Sequence, residues 1–351
     1  MRVQFVCTSG RNNHIDIGIG HLKRCLKLAT KFKKRGYKSD FLVFGNDIIA
    51  SGIEDNQVIN KSQYFDFDSF LNTKKIDNLE IQYSDFTFVD ISNPFFLEYD
   101  TSFYSLIKVL KANTKCLILI DGLGGESYIN KSKYNIKYDF LLAPYFGAEN
   151  YFVKAKNHML GPDFFISEEN ISGFRKKIKK VANNVCVTCG GSDPHNITYE
   201  ILRSIFKMNQ IKIKLKIIIG PNFYAEHIKK IKQLVIKNSK EVEYINSPKS
   251  IKSHIECSDI VIATSGLTKY EILSLGTPSI IIPFDEKQFK LNEESSKTRA
   301  FLTLNHDKIS CLGKELYSFI KDRDLRSKMS NKALELIDGQ GINRIINYLG
   351  M

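Results

Sequence analysis

The sequence predicts an α/β protein built of two doubly wound, Rossmann-like domains. Three observations carry this. Short apolar runs alternate with longer amphipathic stretches, the pattern of a parallel sheet covered by helices on both faces. The plan occurs twice along the chain. Between the two halves lies a polar, lysine-rich stretch, 167–184, with no sustained strand pattern. At 351 residues the chain is also longer than one core usually holds. The expected domains are 1–166 and 185–351, joined by a linker at 167–184. Ligands of such sheets bind outside the carboxyl ends of the strands, so a cleft between the domains is the expected site.

Taken in order, the first half gives apolar runs at 3–7, 41–44, 86–91, 116–121 and 140–143, each of strand length. Helical patterns fall at 21–35 and 97–111. The second half gives strands at 185–189, 215–219, 242–245, 260–263 and 279–282. Its helices are expected at 197–208, 225–238, 251–257, 269–275 and 292–300, and 308–350 reads as largely helical. Leu275-Gly276-Thr277-Pro278 is a helix stop followed by a turn.

Apolar content of 43% and charged content of 25% are ordinary for a globular chain and exclude disorder as its main state. No apolar run reaches the roughly 18 residues of a membrane span. The first residues read as a strand and lack a signal peptide's small-residue cleavage site. The net charge of +13 reflects a lysine-rich composition or attraction to anionic substrates or an inner-membrane surface, so peripheral membrane contact stays open. Nucleic acid is not an expected partner: no recognition motif is present, and aromatic residues are not interleaved with arginines. Seven cysteines, an odd number without secretory features, predict reduced thiols in a cytoplasm. Cys186 and Cys189 form a C-x-x-C, but in a strand they point to opposite faces, so no metal or redox role is expected.

Three strand–turn–helix junctions can carry chemistry. The first, 18–26, holds Gly18, Gly20, His21 and Arg24. Glycines allow close approach to the backbone, a helix N-terminus attracts anions, and histidine suits a general base. Arg24 shares a helix face with His21 and meets either an anionic substrate or an internal partner. The second junction contains Gly190, Gly191 and Ser192, whose N–H groups and hydroxyl suit a diphosphate. Its bland alternative is a turn with Asp193 as N-cap and Pro194 at the first helical position. The third runs through Ser265, Gly266, Leu267 and Thr268 to Glu271, whose carboxylate can accept both hydroxyls of a ribose or simply favour the helix N-terminus. His14, His195 and Asp121 lie in loops near these ends and are weaker candidates, with solvated or turn-forming roles as rivals.

Gly-x-Gly-His-x-x-Arg-Cys-Leu at 18–26, Gly-Gly-Ser-Asp-Pro-x-Asn at 190–196 and Ser-Gly-Leu-Thr-x-x-Glu at 265–271 together resemble the UDP-sugar hydrolases of pseudaminic acid biosynthesis and their spore-coat polysaccharide relatives. The stretch 160–166 resembles the link region of that family, and 260–288 is more distantly similar to the lipid-II glycosyltransferase of peptidoglycan synthesis. The resemblance covers roughly 1–300. It implies a GT-B fold with a UDP-sugar held mainly by the second domain and neither cofactor nor metal. It implies Gly190, Gly191 and Ser192 at the diphosphate, Leu267 and Thr268 near the phosphates, Glu271 at the ribose, Gln288 toward the sugar, and His21 as the base that activates water. Two stretches depart from the family. Cys7 to His14 replaces an Arg-x-Asp-x-Ser run, and Val89-Asp90-Ile91-Ser92 lacks the tyrosine of an Asp-x-Tyr-Gly segment. Both bear on the identity of the sugar.

The expected activity is hydrolysis of a UDP-linked amino-deoxy sugar in surface-polysaccharide or nonulosonic-acid synthesis. The alternatives are transfer of the sugar to a sugar, lipid or protein acceptor, and binding without catalysis.

Overall fold

The structure is a computed structural model, and it describes residues 1–11, 16–45, 59–66, 69, 72–91, 100–121, 128–167, 176–207, 213–238 and 242–351. His14, Asn12 and Asn13, Ser92 and the glycine run 122–125 lie outside the described residues. The chain divides into two compact units, Met1–Ile166 with Gly341–Met351, and Ser167–Gln340.

The first unit is a sheet of β1 (Arg2–Arg11), β2 (Asp16–Gly18), β3 (Lys38–Gly45), β4 (Ile59–Phe65), β5 (Ser84–Asp90), β6 (Thr114–Ile120), β7 (Phe140–Ala143) and β8 (His158–Leu160). Its helices are α1 (Gly20–Lys34), α2 (Thr73–Asp77), α3 (Asp100–Ala112) and α4 (Tyr128–Lys131). The strand order is β4-β3-β1-β5-β6-β7-β8, parallel throughout, with β2 antiparallel on β1. Phe5 of β1 anchors the core, stacking on Phe41 at 5.0 Å and Phe88 at 5.4 Å, with Phe32 of α1 6.2 Å away. Gly18 was expected in a turn. Instead it closes β2 and pairs with Gly10, so the chain after β1 doubles back before α1 begins.

The second unit contains β9 (Asn184–Thr188), β10 (Lys214–Ile219), β11 (Val242–Asn246), β12 (Ile260–Thr264), β13 (Ser279–Ile282) and β14 (Leu302–Thr303). Its helices are α5 (Ile197–Phe206), α6 (Ala225–Lys237), α7 (Lys252–Glu256), α8 (Leu267–Ser274), α9 (Glu286–Ser296), α10 (Leu312–Lys321) and α11 (Arg323–Leu336). The parallel order is β11-β10-β9-β12-β13-β14. In both units the first strand sits in the middle and the chain winds outward to each side, the doubly wound arrangement.

Helix α9 starts six residues earlier than expected because Asp285 accepts the Gln288 N–H at 2.7 Å. The Asp285-Glu286-Lys287-Gln288 run is a helix-start signature of an acceptor followed three residues later by glutamine. Arg326, only 1% exposed, donates Nε to Phe319 O (2.9 Å) and a terminal nitrogen to Ile320 O, Lys179 O and Lys180 O (3.0–3.1 Å). It ties the end of α10 to the segment leading into β9. Burial pushes the Cys186 thiol up to about 12 and Cys189 well above its ordinary value.

The last helix, α12 (Gly341–Tyr348), does not join the second unit as expected. Its apolar face, Ile342, Ile345 and Ile346, is buried in the core of the first unit with Phe5 and Met159. Arg344 of the same helix donates to Asp163 O at 3.0 Å. No helix among the described residues is long and apolar enough to cross a membrane.

Candidate active site

In an open α/β sheet, the two loops leaving neighbouring strands on either side of the order reversal diverge and leave a crevice. In the first unit the reversal lies between β1 and β5. α1, which carries His21 and Arg24, follows β1 and its hairpin, and Asp90 is the last residue of β5, in register with Cys7. His21 and Arg24 are three apart on α1 and therefore share a face, and both reach Asp90. Arg24 forms a fork on the carboxylate, Nε to Oδ2 at 2.8 Å and a terminal nitrogen to Oδ1 at 2.7 Å. His21 Nδ1 is 2.6 Å from Oδ1.

Asp90 is completely buried, which on its own raises a carboxyl. The Arg24 guanidinium first, then His21, outweigh this and hold Asp90 at about 2. An ionised carboxylate only accepts hydrogen bonds. The 2.6 Å contact therefore assigns the proton to His21 Nδ1. The 3.0 Å approach of Arg24 to the same nitrogen is then a contact between two donors, not a hydrogen bond. With Nδ1 protonated, the lone pair of neutral His21 lies on Nε2, and its side chain is 16% exposed. The dyad thus presents an oriented acceptor for a proton, the arrangement of an activated base. Of the two roles open to Arg24, substrate contact or internal partner, the structure shows the second: at 6% exposed it sits in an internal ion pair with Asp90.

In the second unit the reversal lies between β9 and β12, and the loops after these strands are the glycine turn and the Ser265–Gly266 turn. Gly190 has φ +81°, a left-handed conformation that favours glycine. Asp193 is not the N-cap residue and Pro194 is not the first helical residue, because α5 begins only at Ile197. From its position in the turn the Asp193 carboxylate accepts the N–H groups of Ile197 (2.7 Å) and Thr198 (2.9 Å). Burial raises the Asp193 carboxyl against the pull of these bonds. The start of α5 is thereby already capped. What the turn offers a ligand is the backbone of Gly190 and Gly191 and the half-buried Ser192.

α8 differs: its N-cap, Gly266, provides no side-chain cap. The N–H groups of Leu267 and Thr268, in its first turn, have no intrahelical acceptor, a position that suits an anion. Glu271 lies one turn further along, four residues from Leu267 and half-buried. Ser265 and Gln288 were both read as ligand contacts, and the structure turns them toward the protein. Ser265 N–H donates to Gln288 Oε1 (3.2 Å), and the buried Ser265 hydroxyl donates to Asn292 Oδ1 (3.1 Å). The exposed His195 packs its ring 4.7 Å from that of Phe284, which joins the loops after β9 and β13. Asp121 is buried at the end of β6.

Gly220, and the part that Asp90 plays within its departing segment, escaped the sequence reading. Asp90 ends an apolar strand, the same signal that singled out Asp121. Gly220 follows β10, and Asn222 N–H donates to Gly191 O at 2.9 Å. A Cβ at Gly220 would come closer to the Gly190 and Gly191 carbonyl oxygens than any real Cβ approaches. Gly220→Ala is therefore expected to displace the glycine turn and, where that turn holds a diphosphate as the sequence predicts, to weaken its binding about 10-fold or more. Titration calorimetry with UDP checks this against the thermal midpoint without ligand.

With the geometry in hand, the class of fold is clear: two Rossmann-like units of the GT-B type. Residues 184–336 match the Glycosyltransferase family 28 C-terminal domain. The chain superposes over its full length on MurG of Acinetobacter baumannii, with TM-score 0.67 and 11% identity, 100% of both chains being covered. It also matches Anabaena HepE in complex with UDP and glucose, with TM-score 0.62 and 12% identity over 99% of each chain. Among curated proteins it is 24% identical over 315 residues to an uncharacterized protein of Methanocaldococcus jannaschii, covering 83% of this chain. It is 23% identical over 195 residues, 54% of this chain, to the spore coat polysaccharide biosynthesis protein SpsG of Bacillus subtilis. The matches span 58% and 57% of the length of these two relatives.

Proposed function

We propose that the protein is a glycosyltransferase that uses a UDP-sugar donor in polysaccharide biosynthesis. The single observation that carries this is the uncapped start of α8 beside the glycine turn at the β9–β12 reversal, within the stretch that matches the glycosyltransferase family 28 domain. Backbone N–H groups there suit the diphosphate, with Gly190, Gly191, Ser192, Leu267 and Thr268 as its contacts and Glu271 as the partner of the ribose hydroxyls. The UDP and glucose bound by HepE are consistent with this reading.

In the first unit, His21 Nε2 is the proposed base. It takes the proton of the acceptor hydroxyl as that oxygen bonds to the anomeric carbon. The bond from that carbon to the diphosphate oxygen breaks, and its electron pair leaves with UDP. The N–H groups at α8 stabilise the negative charge that develops. Asp90 holds His21 in the tautomer that leaves Nε2 free, and Arg24 holds Asp90.

A second reading substitutes water for the acceptor hydroxyl, giving a hydrolase of a UDP-linked amino-deoxy sugar. The resemblance of the ordered motifs at 18–26, 190–196 and 265–271 favours it. One experiment separates the readings: incubation with a panel of UDP-sugars with and without sugar and lipid acceptors, following UDP release. Release that requires an acceptor is the expected result. Equal release in its absence selects hydrolysis. Failure of UDP to raise the thermal midpoint counts against both, because a ligand at about 100 times its Kd stabilises by about 2.7 kcal/mol.

A further inference from the structure

Beneath the Ser265–Gly266 turn lies a buried lysine that the proposed chemistry does not use. Lys269, in the first turn of α8, is 1% exposed. Its Nζ donates to Ser295 Oγ at 2.7 Å and to Asn292 Oδ1 at 3.3 Å, both on α9. Asn292 Oδ1 also accepts the Ser265 hydroxyl at 3.1 Å, while Asn292 Nδ2 donates to Thr303 Oγ1 of β14 at 3.1 Å. We propose that Lys269 is a positioning residue for nucleotide binding: through Asn292 it fixes Ser265, and with it the turn that opens α8. The inference rests on the reading of α8 as the diphosphate site.

The physical case is one of orientation. An asparagine amide has an accepting end and a donating end of nearly the same shape. Asn292 is held one way round because Ser265 and Lys269, and at 3.5 Å the Ser295 hydroxyl, donate to its oxygen while its nitrogen donates to Thr303. Removing Lys269 takes away the charged donor and also frees Ser295, which Lys269 holds. An Asn292 that turns over presents Nδ2 to Ser265, and the Ser265 hydroxyl must rotate. The adjoining Gly266 then loses its anchor on that side. The lysine is also costly to bury, since desolvation pushes it down to about 7. The faces of Tyr270 and Phe301, 5.2 and 5.7 Å from Nζ, offset part of that cost. An apolar side chain of similar length would pack without the cost but could not orient Asn292.

The test compares the full-length parent with Lys269→Met, Lys269→Gln and Asn292→Ala. UDP affinity is read by calorimetry, and the thermal midpoint is read without ligand. Lys269→Met is expected to raise the Kd for UDP roughly 10-fold, about the effect of one lost charged hydrogen bond. Lys269→Gln, which retains a donor of similar reach, is expected to recover most of the affinity. A role in packing alone would give no such recovery. The double variant with Asn292→Ala should bind no more weakly than Asn292→Ala alone, since both act along one path. Parent-like affinity in a folded Lys269→Met variant overturns the inference. If that variant does not fold, parent-like affinity in Asn292→Ala overturns it equally. Absence of UDP binding by the parent overturns the nucleotide-site reading itself, and the two failures are thereby distinguishable.

Discussion

Replacing His21 with alanine is expected to lower kcat by about 100- to 10,000-fold, the range contributed by a positioned general base. Affinity for UDP should change little, because the N–H groups proposed to hold the diphosphate lie on other loops. A parallel loss of UDP binding and turnover would instead make His21 a binding group. Asp90→Asn should produce a loss of the same order by a different route. An amide in place of the carboxylate can donate to Nδ1, which drives the imidazole proton to Nε2 and removes the lone pair that the reaction needs. Single-turnover measurements on both variants, with UDP affinity measured in parallel, check the pair.

Asp90→Asn also carries a signature in acid. The carboxyl sits at about 2 against an ordinary value of 3.8, so between these values the unfolded chain binds more protons than the folded one. Stability therefore rises with pH across this window. The contribution, about 2 kcal/mol for a shift of this size, is fully present above 3.8 and is lost as pH falls through about 2. In Asp90→Asn that part of the slope disappears, and the buried Arg24 loses its countercharge at every pH.

The largest expected loss of stability comes from Arg326→Met, about 3–5 kcal/mol in the second unit. One guanidinium serves four carbonyl oxygens, two at the end of α10 and two in the segment before β9. Methionine fills most of the volume and supplies no donor, so the four oxygens lose this partner, although Ile320 O keeps the Ala182 N–H at 3.1 Å. Arg326→Lys should recover only part, because an ammonium cannot span acceptors that the planar fork reaches from two nitrogens. Urea unfolding monitored on the second unit measures both.

The central strands were legible because a parallel sheet covered on both faces needs nearly continuous apolar runs, as in Phe86 to Val89 or Ile260 to Ala263. β4 escaped notice because its sequence, Ile59-Asn60-Lys61-Ser62-Gln63-Tyr64-Phe65, is mostly polar. It ends the described sheet order, where one side needs no apolar neighbour. His21 and Arg24 were legible as a pair because helical spacing is local. Their partner Asp90, 69 positions from His21, becomes visible only when β5 is laid beside β1. Ser265 illustrates the opposite difficulty. Its position in the turn was clear from sequence, but the direction of its hydroxyl depends on Asn292, which arrives from another helix.

The packing of Ile342, Ile345 and Ile346 among the side chains around Phe5 has a consequence for synthesis. The first unit is discontinuous in sequence: its strands leave the ribosome before the second unit, and the helix that completes its core leaves after it. The second unit is continuous and can finish folding while the first still exposes the apolar groove that α12 will fill. A fragment of 1–166 thus lacks part of its own interior, and removing 341–351 would damage the core that 1–166 builds rather than the unit that precedes the cut.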